Sequence, residues 1–198
     1  MAKMSSLKPP TVFEQLETSL ASLDGLTGKA GWFPGAVYPN GLSVAANAAT
    51  QEFGAHIAHP GGTPYKIGAD GKAVFVTRAN GAGLPVTKPH SIVIPPRPFM
   101  RPTVDRMKQK WLDMLADGSK AVLAGKISAH DVMEAVVSNA ATEIARSISQ
   151  VFAPPLKAST IAAKRRKMAN THIVGSLDKP LVETRLMIDS VTGVVEKK

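Results

Sequence analysis

At 198 residues the chain is long enough to bury one sizeable core, and a hydrophobic content of 44% fits a folded soluble domain better than a disordered chain. Cysteine is absent, which excludes disulfides, thiol nucleophiles and thiolate metal sites. The net charge of +9 points toward nucleic acid, an anionic surface or an acidic protein as partner, and no apolar run approaches the ~20 residues that span a bilayer.

The first residues, MAKMSSLKPPTVF, hold no apolar leader segment, so no secretory signal is expected. Residues 11–26 are predicted as a first helix. Thr11 caps it after two prolines, and Val12, Leu16, Leu20 and Leu23 keep helical spacing. KAGWFPG follows as a short strand, YPNGLS as a turn around Asn40-Gly41, and residues 43–54 as an alanine-rich helix that Gly54 stops. Residues 59–91 are rich in glycine and proline, with a hairpin expected at Asp70-Gly71. SIVI, residues 91–94, is a further strand.

The next stretch, IPPRPFMRP, packs four prolines and two arginines into nine residues. Each proline fixes its own φ and pushes its predecessor toward extended geometry. The stretch is therefore a rigid strand-to-helix joint with Phe99 as its apolar peg, and Pro102 fits the first helical turn. Arg97 and Arg101 sit near the positive end of that helix, an unfavourable place for a cation. They either reach away to carbonyls, carboxylates or another subunit, or stay solvated. In both cases Arg97→Ala leaves the fold nearly intact.

Two long amphipathic helices follow, one presenting Val104, Met107, Trp111 and Leu115, the other Met133, Val137, Ala140, Ile144, Ile148 and Val151. Ser128 and Asp131 resemble a capping pair. A short basic helix starts near Ser159 or Thr160, and a last strand spans Ser190–Val195. The fold class is α+β: a small antiparallel sheet packed against two long helices, with an additional N-terminal helix. Residues 1–28 form an N-terminal arm, and residues 29–198 a single domain with an inserted hairpin at about 59–91.

Motifs for chemistry are sparse. His56 and His59 form an H-x-x-H pair with His90 further on, a set that zinc could use. However, GAHIAHPGG reads as a loop, and no H-E-x-x-H helix accompanies it. No nucleophile elbow, Walker loop or glycine fingerprint is present. Glu14, Glu17, Glu134 and Glu143 lie on predicted helices with the spacing of solvated faces. Lys164, Arg165, Arg166 and Lys167 make the densest basic run. It is either a phosphate contact, a solvated turn or a face for an acidic partner. No recognition helix or stacking platform stands beside it.

Five stretches occur in a telling order: YPNGLSVAANAATQEFG, GGTPY, KPHSIVIPPRPFMRPTVD, PPLKASTIAAKRRK and KPLVETRLMIDSVT. Their order resembles the virion morphogenesis, or tail-completion and head–tail joining, proteins of tailed bacteriophages. The resemblance covers most of the chain from about residue 30. The family pattern falls on Glu52, Phe53 and Gly54, on Pro95, Arg97, Pro98, Phe99 and Arg101, and on Pro155, Leu156, Ser159, Thr160 and Ile161. Near the C-terminus it falls on Lys179, Pro180, Leu181 and Thr184. Where the family carries Asp-Thr-Gly, this chain has Glu183-Thr184-Arg185, which removes an easy left-handed backbone. The N-terminal helix is an addition to the pattern, an arm that could dock on a neighbouring ring.

The resemblance implies a structural protein without catalytic residue, metal or cofactor. It implies a homo-oligomeric ring at the virion neck, six copies favoured and twelve possible, assembled in the host bacterial cytoplasm. Portal or head-completion proteins would meet one face and tail terminator or tail tube proteins the other. Genomic DNA would pass through the lumen without sequence specificity, and no membrane is involved. The joint residues Pro95, Arg97, Pro98, Phe99 and Arg101, with Glu52, Phe53, Lys179 and Thr184, would serve the interface. The alternatives are a basic DNA-binding accessory protein using residues 164–167 and a metal-dependent enzyme using the three histidines.

Overall fold

The computed structural model describes residues 11–69, 71, 73–168, 178–181 and 185–198, with the backbone alone at 166–168. The chain is α+β. In order, its elements are α1 (Val12–Asp24), β1 (Leu26–Gly31), α2 (Val44–Phe53), β2 (Ala55–His59), β3 (Tyr65–Ile67), β4 (Ala73–Phe75), β5 (His90–Ile94), α3 (Met100–Leu123), α4 (Ala129–Ser149), α5 (Ala158–Met168), α6 (Leu186–Asp189) and β6 (Thr192–Lys197). They divide between two units, Met1–Ala48 with Pro98–Lys198, and Ala49–Arg97.

In the larger unit, β1 and β6 pair antiparallel from Leu26 opposite Lys197 to Gly31 opposite Thr192. This ribbon and α3 both pack against α4. The ribbon comes close because two glycines let it. A Cβ at Gly28 would stand 2.6 Å from Val137 Cγ1, and one at Gly193 would stand 2.7 Å from the Val137 backbone. Serving two neighbours, α4 buries adjacent positions about 100° apart on the helix, such as Val136 with Val137 and Ala140 with Ala141. Trp111 Nε1 donates to Asn139 Oδ1 at 3.1 Å and ties α3 to α4. Glu143 is not part of a solvated face. It is buried, and Arg106 (3.5 Å) and Arg146 (3.2 Å) supply the partners a buried carboxylate requires.

The main core cluster gathers Val44, Ala48, Phe99, Ile144, Ile148 and Met187. A second one gathers Val122, Ala129 and Val132, against which Leu23, Leu26 and Leu115 pack. Helix α1 thus touches α3 and α4, yet none of its residues is buried. Thr11 caps it in a reciprocal box, with Glu14 Oε2 accepting from the Thr11 N–H at 2.6 Å. These bonds hold the Glu14 carboxyl below its usual range, the backbone bond first.

The smaller unit holds two hairpin-like ribbons. β2 and β5 pair antiparallel with Ile57 opposite Ile92 and His59 opposite His90, and β3 and β4 pair with Tyr65 opposite Phe75. The loop between β3 and β4 turns with Gly71 at φ 71, its N–H donating to Gly68 O; Asp70 lies outside the described residues.

Several sequence expectations are corrected. Among the described residues the antiparallel strands form three separate two-stranded sheets and not one small sheet. Residues 26–28 belong to β1 and not to an arm, because their partner is β6 at the far end of the chain, which local pattern does not reveal. Residues 55–59 are a strand, not a loop. The last strand lies two residues later than expected, and the separable segment is 49–97, wider than 59–91. At the start of α3, Val104 is exposed, and Thr103 is buried instead, its hydroxyl donating to Phe99 O at 2.6 Å.

Candidate functional site

The proline joint is ordered by what it buries. Along 96–99, burial alternates: Pro96 and Pro98 are exposed, Arg97 and Phe99 are buried. That is the two-residue period of extended backbone, which the prolines impose. Phe99 is fully buried in the main core cluster, edge-on to Trp32.

Arg97 departs from the expectation of an outward side chain. It is 7% exposed. Its N–H donates to Gln51 O at 2.7 Å, and Nη1 reaches Gln51 Oε1 at 3.4 Å. Burial pulls its pKa below the ordinary arginine value, since a charged group loses hydration there. It acts inside the subunit, fastening the joint to the end of α2. Arg101, in the first turn of α3, is exposed.

The E-F-G triplet has three separate roles. Glu52 is 3% exposed, whereas Phe53 is 65% exposed. Gly54 takes φ +75, and a Cβ there would stand 2.8 Å from Ile94 O and 3.0 Å from Pro96 N. Only glycine suits both the left-handed backbone and the close approach to β5.

The basic run is not a uniform phosphate patch. Lys164 is 5% exposed, and its ammonium donates to Lys179 O at 3.0 Å. It is committed to the fold and withdrawn from any phosphate. Arg165 is exposed; the side chains of Arg166 and Lys167, and the whole of Thr184, lie outside the described residues. Lys179 stands 5.1 Å over the Phe152 ring as a cation–π pair.

The three histidines do not converge. His59 and His90 are cross-strand neighbours with stacked rings 4.9 Å apart. His56 is three residues from His59 on the same strand, so it faces the opposite side of the ribbon. His59 Nδ1 accepts from the Gly61 N–H at 3.0 Å, and His90 Nδ1 lies 2.9 Å from Lys88 O, which occupies one nitrogen of each ring. Among the described residues, His130, Asp131 and Glu134 cluster at the start of α4. All three are exposed, and Asp131 is bonded to the capping Ser128 hydroxyl at 2.7 Å.

No protein-family model, curated protein or solved structure matches the chain. Its chemistry is therefore read from its own surface. Among the described residues, no helix is long and apolar enough to cross a membrane. Large apolar side chains nevertheless stand in the open on α1, on both ribbons of the smaller unit and on α3: Phe13 at 69%, Ile67 at 62%, Phe75 at 63% and Leu112 at 57%. Sequence patterning missed this. An apolar stripe signals a helix face that something covers, and by default the subunit's own core is taken as the cover.

Proposed function

We propose that the chain is a structural subunit of a homo-oligomeric ring at the head–tail junction of a tailed bacteriophage, acting without catalysis. In this reading six or twelve copies close around the path of the genomic DNA, between the capsid connector and the tail. The ring assembles in the host cytoplasm and resides in the virion neck. The reading rests on the resemblance of five ordered motifs, and one structural observation carries it further. The exposed apolar side chains on α1 and on the smaller unit are what a subunit made for assembly presents, and what a monomer tends to avoid. The DNA-binding alternative is weaker, because Lys164 is spent inside the fold.

The test is a joining assay. Phage particles assembled without this protein should accumulate as filled heads and separate tails, and adding the purified protein should restore infectivity. Normal joining in its absence contradicts the proposal.

A further inference from the structure

Two surfaces of this chain are left without cover, and they match each other. The first is on α1. Val12, Phe13, Leu16 and Leu20 fall within about 100° of arc at 100° per residue, and they are 39–75% exposed. The helix carries Glu14, Glu17 and Asp24 and no basic residue. Asp24 is neutralised by Lys198 at 3.0 Å, which leaves Glu14 and Glu17 to colour the free end of the stripe.

The second surface is the unit 49–97. Among its described residues Pro64 is the only apolar side chain that is buried. Isolated two-stranded ribbons are marginal in water, and a unit of this length rarely stands without an outside core. Its apolar side chains are ordered by the strand register. Ile57 and Ile92 face each other on one side of the β2–β5 ribbon, and Ile67 and Phe75 share one side of the β3–β4 ribbon. These four side chains are 37–63% exposed, and Val93 stands 51% exposed on the other side of the β2–β5 ribbon. The charge is opposite to that of α1. Lys66, Arg78 and Lys88 are exposed, whereas the unit's described carboxylate, Glu52, is buried.

We propose that α1 of one copy docks its acidic, apolar stripe on the basic, coreless unit 49–97 of the next copy. The inference rests on the reading that identical copies assemble, and it names the surfaces they use. The contact is heterologous, each copy offering a helix on one side and a ribbon surface on the other. Repetition therefore generates a closed ring or an open filament.

Two double variants test it. Phe13→Asp with Leu20→Asp damages the helix side, and Ile67→Asp with Phe75→Asp damages the ribbon side. All four positions are exposed, so helicity by circular dichroism should match that of the parent. Each variant alone should remain monomeric, with association weakened at least ~30-fold. Mixed, the two should form a one-to-one dimer and stop there, since one intact helix meets one intact ribbon surface. A mixture that stays monomeric, or a helix-side variant that assembles like the parent, overturns the inference and leaves the ring reading standing. Open filaments from the parent chain that the helix-side variant abolishes overturn the ring and keep the contact. A parent chain that never associates overturns both. Should the ribbon variant fail to fold, Glu17→Lys gives an independent reading. It should weaken association and flatten its salt dependence, and unchanged association overturns the inference.

Discussion

Trp32 stands edge-on to Phe99, ring centroids 5.7 Å apart and planes at 81°. The Trp32 Nε1 donates to Met187 O at 2.8 Å, so the indole is fixed at its polar end while its ring packs nearly perpendicular to the phenyl ring. Through this pair, the residue that ends the proline joint is locked to the segments that precede α2 and β6. Phe99→Ala removes a fully buried ring and should lower unfolding free energy by ~3–5 kcal/mol in a denaturant titration. A loss under 1 kcal/mol would show that the joint is not anchored by its ring.

Arg97 turns the sequence expectation around. A solvated or outward arginine could be removed with little effect on the fold, but this one is buried against Gln51. Arg97→Ala should cost ~1.5–3 kcal/mol, the range for hydrogen bonds to a charged group. Arg97→Lys should not restore the loss, because an ammonium cannot reproduce the guanidinium fork. Thermal denaturation of the two variants checks this, and an unchanged melting temperature for Arg97→Ala would contradict the buried role.

Gly54 should be far less replaceable than Gly83. Both have positive φ, but only Gly54 has backbone within 3.0 Å of where a Cβ would sit. Gly83→Asn should be nearly neutral, since asparagine tolerates the left-handed region. Gly54→Asn should lose ~1–3 kcal/mol because the clash involves Cβ itself. Equal unfolding midpoints for the two variants would contradict this.

Local physics made part of this legible and tertiary context decided the rest. Thr11 and Ser128 could be read as caps because capping is a matter of three or four adjacent residues, and both side chains accept the expected backbone N–H. Phe99 could be read as a peg because the prolines around it leave one geometry. Arg97, Lys164 and Glu143 could not be read correctly. A charged residue in a sequence is exposed by default, and each of these three has a partner far away in the chain: Gln51 for Arg97, the Lys179 carbonyl for Lys164 and Arg106 for Glu143. The strand at 55–59 was hidden by its two histidines, which are ordinary cross-strand residues once β5 is beside them. The apolar stripe of α1 was visible, but not the fact that the subunit leaves most of it uncovered.

The capping box of α1 makes a pH prediction with a definite sign. Bonds from Thr11 favour the charged form of Glu14, so its folded pKa lies below its unfolded one. The stabilisation is complete above the ordinary glutamate value of ~4.3 and is lost as pH falls through the lowered folded value. In an NMR titration the Glu14 side chain should titrate below the ordinary glutamate value of ~4.3, and amide protection in the first turn of α1 should fall over the same interval. A Glu14 midpoint above ~4.3 would contradict the box.

The central proposal stands or falls on whether identical copies associate. Mass measurement of the purified chain by sedimentation equilibrium, over a range of concentrations, addresses this most directly. A ring subunit should reach six or twelve times the 20.9 kDa chain mass, with no intermediate accumulating. A single species of 20.9 kDa at every concentration, unchanged when phage tails or connectors are added, would refute it.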